Sequence, residues 1–205
     1  MISATAVKEL RELSGAGMMD CKKALQEAEG DIKKAMEVLR KNGIAKAQKK
    51  VGRSASDGVV IPYIHPGSKL GVLLEVNCET DFVARTEGFQ DFCKDVAMHI
   101  AAASPLTVLR EELSEEVVET EKNIFRDQSK KSGKPDEIIE KMIDGRMNKF
   151  YQENVLMEQS FVKNPDLSIN DLLTETIAKL GENISIARFS RYQLGETAPQ
   201  TDSTD

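Results

Sequence analysis

Hydrophobic positions in the first forty residues recur at helical spacing and are punctuated by glycine. Val7, Leu10 and Leu13 line one side of a first helix that Ser3 or Thr5 can cap, and Ser14-Gly15-Ala16-Gly17 stops it. A second helix opens at Met18 or Met19. It carries Cys21, Ala24, Leu25 and Ala28 on one side and Asp20, Lys22, Lys23 and Glu27 on the other. Gly30 closes it, and Asp31 caps a third helix with Ile32, Ala35, Met36 and Leu39 at i, i+3, i+4 and i+7. Three short helices with tight turns make a bundle too small for a catalytic cleft, so the unit suits docking on another protein. Met18 and Met19 can serve either as core or as a flexible apolar contact, and the pattern leaves both open.

The period then shifts from helix to strand. Gly58–His65 reads as a strand, with Pro62 marking it as an edge or irregular one. Pro66-Gly67-Ser68-Lys69 is a turn, so this strand forms a hairpin with a largely buried strand at Leu70–Val76. A further β-rich run, Asn183–Leu194, can supply a third strand. Between them lie four helices. Thr86 caps one bearing Phe89, Cys93, Val96 and Ile100, which ends near Ser104-Pro105, and Ser114 caps another bearing Val117 and Ile124. Pro135 opens a longer one with Ile139, Met142, Ile143, Met147 and Phe150. Asp171 caps the last, with Leu172, Leu173, Ile177 and Leu180 before a stop at Gly181. Strands, then helices, then a returning strand predict an α+β fold: a three-helix bundle followed by a small antiparallel sheet of about three strands with packed helices. The expected organisation is a docking domain over 1–43, a basic linker helix over 44–56, an α+β core over 57–194 and a disordered acidic tail over 195–205.

One stretch changes character midway. In Leu70–Ala84, LGVLLEVNCETDFVA, an apolar strand ends in turn-forming residues and is followed at once by Thr80-Asp81-Phe82-Val83. Two readings compete. The pattern alone favours Phe82 and Val83 turned inward as core, with Asp81 capping the next helix. The other has the connector present a carboxylate and a phenyl ring to a partner.

Composition narrows the field. With 40% hydrophobic and 30% charged residues over 205 positions, the chain has enough core to fold unaided. No apolar run approaches the ~18 residues of a membrane span, and the N-terminus lacks a secretion pattern, which predicts a cytoplasmic protein or a processed one of an organelle matrix. Charge divides unevenly, net +5 over residues 1–56 and net −11 over 57–205. The basic run within Ile44–Arg53 has no interleaved aromatics or base-reading motif, so direct nucleic-acid binding is the lesser reading, kept as a ribosome- or nucleic-acid-associated alternative. Cys21, Cys78 and Cys93 match no metal framework and read as small buried or half-buried thiols in a reducing compartment. An enzyme is not expected. Only His65 and His99 are histidines, Gly15-Ala16-Gly17 lies between helices and not after a strand, and carboxylates at Glu79 and Asp81 would blunt a Cys78 thiolate. No cofactor, metal or catalytic residue is assigned.

Several motifs then point to a family. SGAGMMDCKKAL at Ser14–Leu25, EVNCETDFVAR at Glu75–Arg85, AMHIAA at Ala97–Ala102, SGKP at Ser132–Pro135 and EKMIDGRMNKF at Glu140–Phe150 together resemble translation elongation factor Ts, in order over about residues 5–194. The resemblance implies a bundle similar to a ubiquitin-associated domain and a guanine-nucleotide exchange role on the GTPase elongation factor Tu. It further implies that Thr80, Asp81, Phe82 and Val83 intrude beside the nucleotide site and displace its Mg²⁺, which reverses the inward reading of Phe82. Met18, Met19, Lys22 and Lys23, with His65 a lesser choice, are the expected docking contacts. Long members carry the core twice and add a coiled coil. This chain has one core and shows no counterpart of that insertion, so it resembles the short class and is expected to form a homodimer through the sheet side of its core.

Overall fold

The computed structural model describes residues 2–130 and 135–196. Most of the Ser132–Pro135 motif, and the expected tail beyond residue 196, lie outside the described residues. The elements in order are α1 (Ala4–Ser14), α2 (Met18–Glu27), α3 (Ile32–Gln48), β1 (Asp57–Ile64), β2 (Leu70–Cys78), α4 (Asp81–Ala84), α5 (Glu87–Ala103), α6 (Glu115–Lys130), α7 (Asp136–Asn154), β3 (Ser160–Phe161), β4 (Asn164–Ser168), α8 (Ile169–Leu180) and β5 (Ile184–Gln193). β1, β2 and β5 form a three-stranded sheet in that order, and β3 pairs antiparallel with β4. The fold is α+β, as the change of period predicts.

The chain divides into two compact units. One contains the residues up to Val59 together with Asn77–Phe92 and Asp171–Ser185; the other contains Val60–Val76, Cys93–Asn170 and 186–196.

In the first unit, α1–α3 close on a small core of Val7, Leu10, Cys21, Ala24, Leu25, Ala28 and Ala35. The hydroxyl of Ser3 accepts from the Ala6 amide to start α1, and the Asp31 carboxylate accepts from the Lys34 amide to start α3. Gly15 ends α1 at φ 65°, a left-handed conformation that costs glycine little, and its amide donates to the Arg11 carbonyl. α3 does not stop at residue 43 but runs on to Gln48. A Cβ on Gly43 would lie 3.3 Å from that of Ala178 on α8, so this glycine marks a close helix approach and not a helix end. Asp171 sits in the first turn of α8, which begins two residues earlier than its expected cap.

In the second unit the sheet strands have one covered and one open face. Along β2, Val72, Leu74 and Val76 are buried while Leu73 is half exposed, so the strand alternates and is not buried throughout as its apolar run suggests. Val60, Ile64, Leu73 and Tyr192 are exposed, as is Leu194 just past β5, and Arg188 pairs with Glu75 at 2.7 Å across β5 and β2. A Cβ on Gly71 would lie 3.0 Å from Ile64 Cδ1, so a larger residue there would push the exposed Ile64 side chain aside. The helices read singly from the sequence as starting at Ser114 and Pro135 pack together as the pair α6–α7, around Ile139, Ile143 and Met147. The two-residue β3 and its partner β4 leave no periodic signal, and the sequence reading omits them.

His99 is fully buried in this unit. The Val162 amide donates to its Nδ1 at 3.3 Å, so Nε2 carries the proton and donates to Gln159 Oε1 at 2.9 Å; Gln159 in turn donates to the Glu153 carbonyl. Burial pushes the imidazole below its ordinary value of 6.5, with the Gln159 hydrogen bond partly opposing. The unfolded chain therefore takes up a proton near pH 6.5 while the folded chain does not. Stability is undiminished above pH 6.5 and declines as pH falls toward the lower folded value. Chemical denaturation between pH 7 and pH 5 should show this decline, and His99→Gln should flatten it; an unchanged slope in that variant would assign the decline elsewhere.

Candidate functional site

The Thr80–Val83 segment begins where β2 runs out. Cys78, the last residue of β2, is buried, and its thiol donates to the Thr80 carbonyl at 3.1 Å. Thr80 then caps α4, accepting from the Val83 amide at 3.4 Å, so Thr80 and not Asp81 is the capping residue. Asp81 occupies the first turn and accepts from Arg85 at 2.7 Å, an exposed i,i+4 pair of small energetic value. Ala84 is buried, and its carbonyl accepts from Gln90 Nε2 at 2.7 Å. Thr86 donates to the Val83 carbonyl at 2.8 Å and accepts from the Phe89 amide, which ends α4 and starts α5. The single turn is pinned at both ends.

Phe82 points away from all of this, with 79% of its surface exposed. The inward packing favoured by pattern alone is therefore wrong for Phe82. A one-turn helix buries one side, and here that side is taken by Ala84, leaving the ring of Phe82 to solvent. Thr80 and Val83 are partly buried and Asp81 is half exposed. An exposed phenyl on a pinned turn is unusual, because it gives up a few kcal/mol of possible burial.

Two further groups complete the setting, and the sequence reading missed both. Glu182, in the connector between α8 and β5, accepts from the Thr80 amide at 3.0 Å and from the Thr80 hydroxyl at 2.6 Å. Glu79 accepts from the Asn183 amide at 2.6 Å and pairs with Arg53 at 3.6 Å, while Asn183 Nδ2 donates to the Arg53 carbonyl at 2.8 Å. Glu182 lies 102 residues from Thr80, and Asn183 lies 104 from Glu79, so no local motif announces these contacts. The Cys78 thiol is pushed up from its ordinary value, chiefly by burial and then by the carboxylates of Glu182 and Asp57. The expected direction holds, but its sources are not Glu79 and Asp81. A thiol held protonated in this way is a poor nucleophile.

The other candidates separate into the two units. Met18 and Met19 are 55% and 65% exposed and Leu13 is exposed too, so all three lie outside the bundle's core. Lys22 and Lys23 beside them are exposed. These residues belong to the same unit as Thr80–Val83, whereas His65 belongs to the other, where its ring meets the Tyr63 hydroxyl at 3.1 Å in the exposed hairpin. Within the basic stretch, Lys46 pairs with Asp20 at 2.7 Å and Arg53 with Glu79, so two of its cations are engaged internally. Among the described residues, no group of three or more His, Cys, Asp or Glu is placed to hold a metal, and no helix is long and apolar enough to cross a membrane.

Comparison with known proteins fits this arrangement. The family profile described as Elongation factor TS matches residues 2–196. A protein of Geotalea daltonii named Elongation factor Ts is 59% identical over 98% of this chain and 94% of its own length. One of Carboxydothermus hydrogenoformans, named likewise, is 58% identical over 96% of this chain and 90% of its own. A third, from Thermosipho melanesiensis, is 56% identical over 96% of this chain and all of its own length, so these relatives are of similar length to this chain. On a profile match over nearly every residue, and identities above one half, this chain belongs to the elongation factor Ts family.

Proposed function

We propose that this chain is a guanine-nucleotide exchange factor for the GTPase elongation factor Tu, and that Thr80–Val83 carries the exchange. The observation behind this reading is the exposed Phe82 ring on a turn pinned at both ends. Mg²⁺ bridges the phosphates of a bound nucleotide and neutralises their charge, so disturbing its surroundings loosens GDP. Phe82 acts as the wedge between elements of the GTPase, and Asp81 brings a carboxylate toward the ion's surroundings. The α1–α3 bundle docks on the GTPase through Met18, Met19, Lys22 and Lys23, with His65 a secondary contact. The chain makes and breaks no covalent bond and needs no cofactor. It acts in the cytoplasm, where translation proceeds.

Exchange is a linkage between two ligands of one GTPase. A chain that lowers affinity for GDP must itself be bound less tightly when GDP is present, by the same factor. Titration calorimetry against nucleotide-free and GDP-saturated elongation factor Tu tests this reading. Much weaker binding to the GDP form is expected, while equal affinities would describe a passive scaffold.

The open sheet face supports a second part of the proposal, a homodimer. Val60, Ile64, Leu73, Tyr192 and Leu194 put an apolar patch on one unit, and such patches on soluble proteins commonly mark interfaces. Leu73→Glu should convert a dimeric mass in sedimentation to a monomeric one without loss of helical circular dichroism. A parent chain that already sediments as a monomer contradicts the pairing.

A further inference from the structure

Glu182 lies outside every motif that points to exchange, yet it makes the strongest contacts to the segment proposed to perform it. Its two carboxylate oxygens divide the labour: Oε2 takes the Thr80 amide at 3.0 Å and Oε1 the Thr80 hydroxyl at 2.6 Å. With its proton committed to Glu182, the hydroxyl keeps a lone pair for the Val83 amide, so the carboxylate also orients the cap that starts α4. The next residue along the connector repeats the device in the opposite sense, the Asn183 amide donating to Glu79 Oε1 at 2.6 Å. Two neighbouring residues on each strand of chain thus exchange side chain and backbone. Hydrogen bonds to a charged acceptor are short and about twice as strong as neutral ones.

Phe82 contributes little to holding α4, because its ring is mostly exposed. A four-residue helix has no independent stability either, since nucleating one turn costs more than its single bond returns. The turn therefore persists through its end contacts, and at the N-terminal end those converge on Glu182. We infer that Glu182 is a positioning residue for exchange: it holds Thr80 so that α4 presents Phe82 outward before the GTPase arrives. This inference rests on the exchange reading above. It differs from the wedge itself in that Glu182 need not touch the partner.

The sequence has no tryptophan, so Phe82→Trp installs a single fluorescent reporter on the turn. In that background, Glu182→Ala is expected to lower the tryptophan anisotropy while far-UV circular dichroism stays the same. In the parent background, Glu182→Ala is expected to cut the maximal rate of stimulated GDP release about tenfold, with the half-saturating concentration little changed because the bundle still docks; tenfold corresponds to about 1.4 kcal/mol. Glu182→Gln keeps one acceptor oxygen and should restore part of both. If the alanine variant does not fold, Thr80→Val removes the hydroxyl alone and should show the same two losses. Unchanged anisotropy overturns the clamp. Lowered anisotropy with a full maximal rate leaves the contact in place but overturns its role in exchange. A raised half-saturating concentration with a full maximal rate makes Glu182 a docking residue and overturns positioning.

Discussion

Phe82→Ala is expected to slow stimulated GDP release from elongation factor Tu by on the order of 10- to 100-fold while leaving the melting temperature where it was. Both halves follow from the 79% exposure of the ring. An aromatic that inserts into a partner is the kind of residue whose truncation costs about 2 kcal/mol or more at an interface. In the free chain the same ring is mostly in water. Its loss removes little packing, and alanine favours the helical turn slightly more than phenylalanine. A stability change beyond about 0.5 kcal/mol would exceed what an exposed position ordinarily gives. A melt lowered by many degrees would restore the inward packing that the hydrophobic pattern favours. An unaffected exchange rate would move the wedge to another residue.

Seven residues further on, Phe89 should behave in the opposite way. It is fully buried on α5, in the same unit as Phe82, and its amide is capped by Thr86. Phe89→Ala leaves a cavity among close-packed neighbours and is expected to cost about 3–5 kcal/mol. For a chain of this size that is a fall in melting temperature on the order of 10 °C. Exchange by the remaining folded molecules should be near normal at low temperature, because the ring does not reach the surface. Denaturant titration alongside the exchange assay separates the two effects. If Phe89→Ala lost exchange at unchanged stability, the division into wedge and support would be wrong.

The pair also illustrates what the sequence makes legible. Phe89, Cys93, Val96 and Ile100 repeat over a long helix, so the period identifies their buried face. Phe82 lies on a four-residue helix, a single turn in which no helical period can repeat, and only the resemblance of NCETDFVAR placed it outside. The N-terminal bundle is readable because its caps and its stop at Gly15 act within a few residues. The role of Gly43 is not readable in this way, because its cause, the nearness of Ala178, is not local. Glu182 is invisible to pattern, because its meaning depends on Thr80 a hundred residues earlier. The β3–β4 pair escapes notice because two residues cannot show alternation.

His99 and the open sheet face belong to the second unit, not to the one that holds Thr80–Val83. The buried imidazole is satisfied by Gln159 and the Val162 amide, so it serves the second unit's core and no chemistry is assigned to it. The apolar sheet face gives up burial within one chain, which is consistent with burial against a second copy.

The most direct measurement is release of a fluorescent GDP analogue from purified elongation factor Tu, with excess unlabelled nucleotide and this chain at a small fraction of the GTPase concentration. Fast release of the whole bound pool, each molecule serving many GTPases in turn, is what an exchange factor predicts. Release at the unassisted rate, or acceleration that stops at one GTPase per chain, would contradict it.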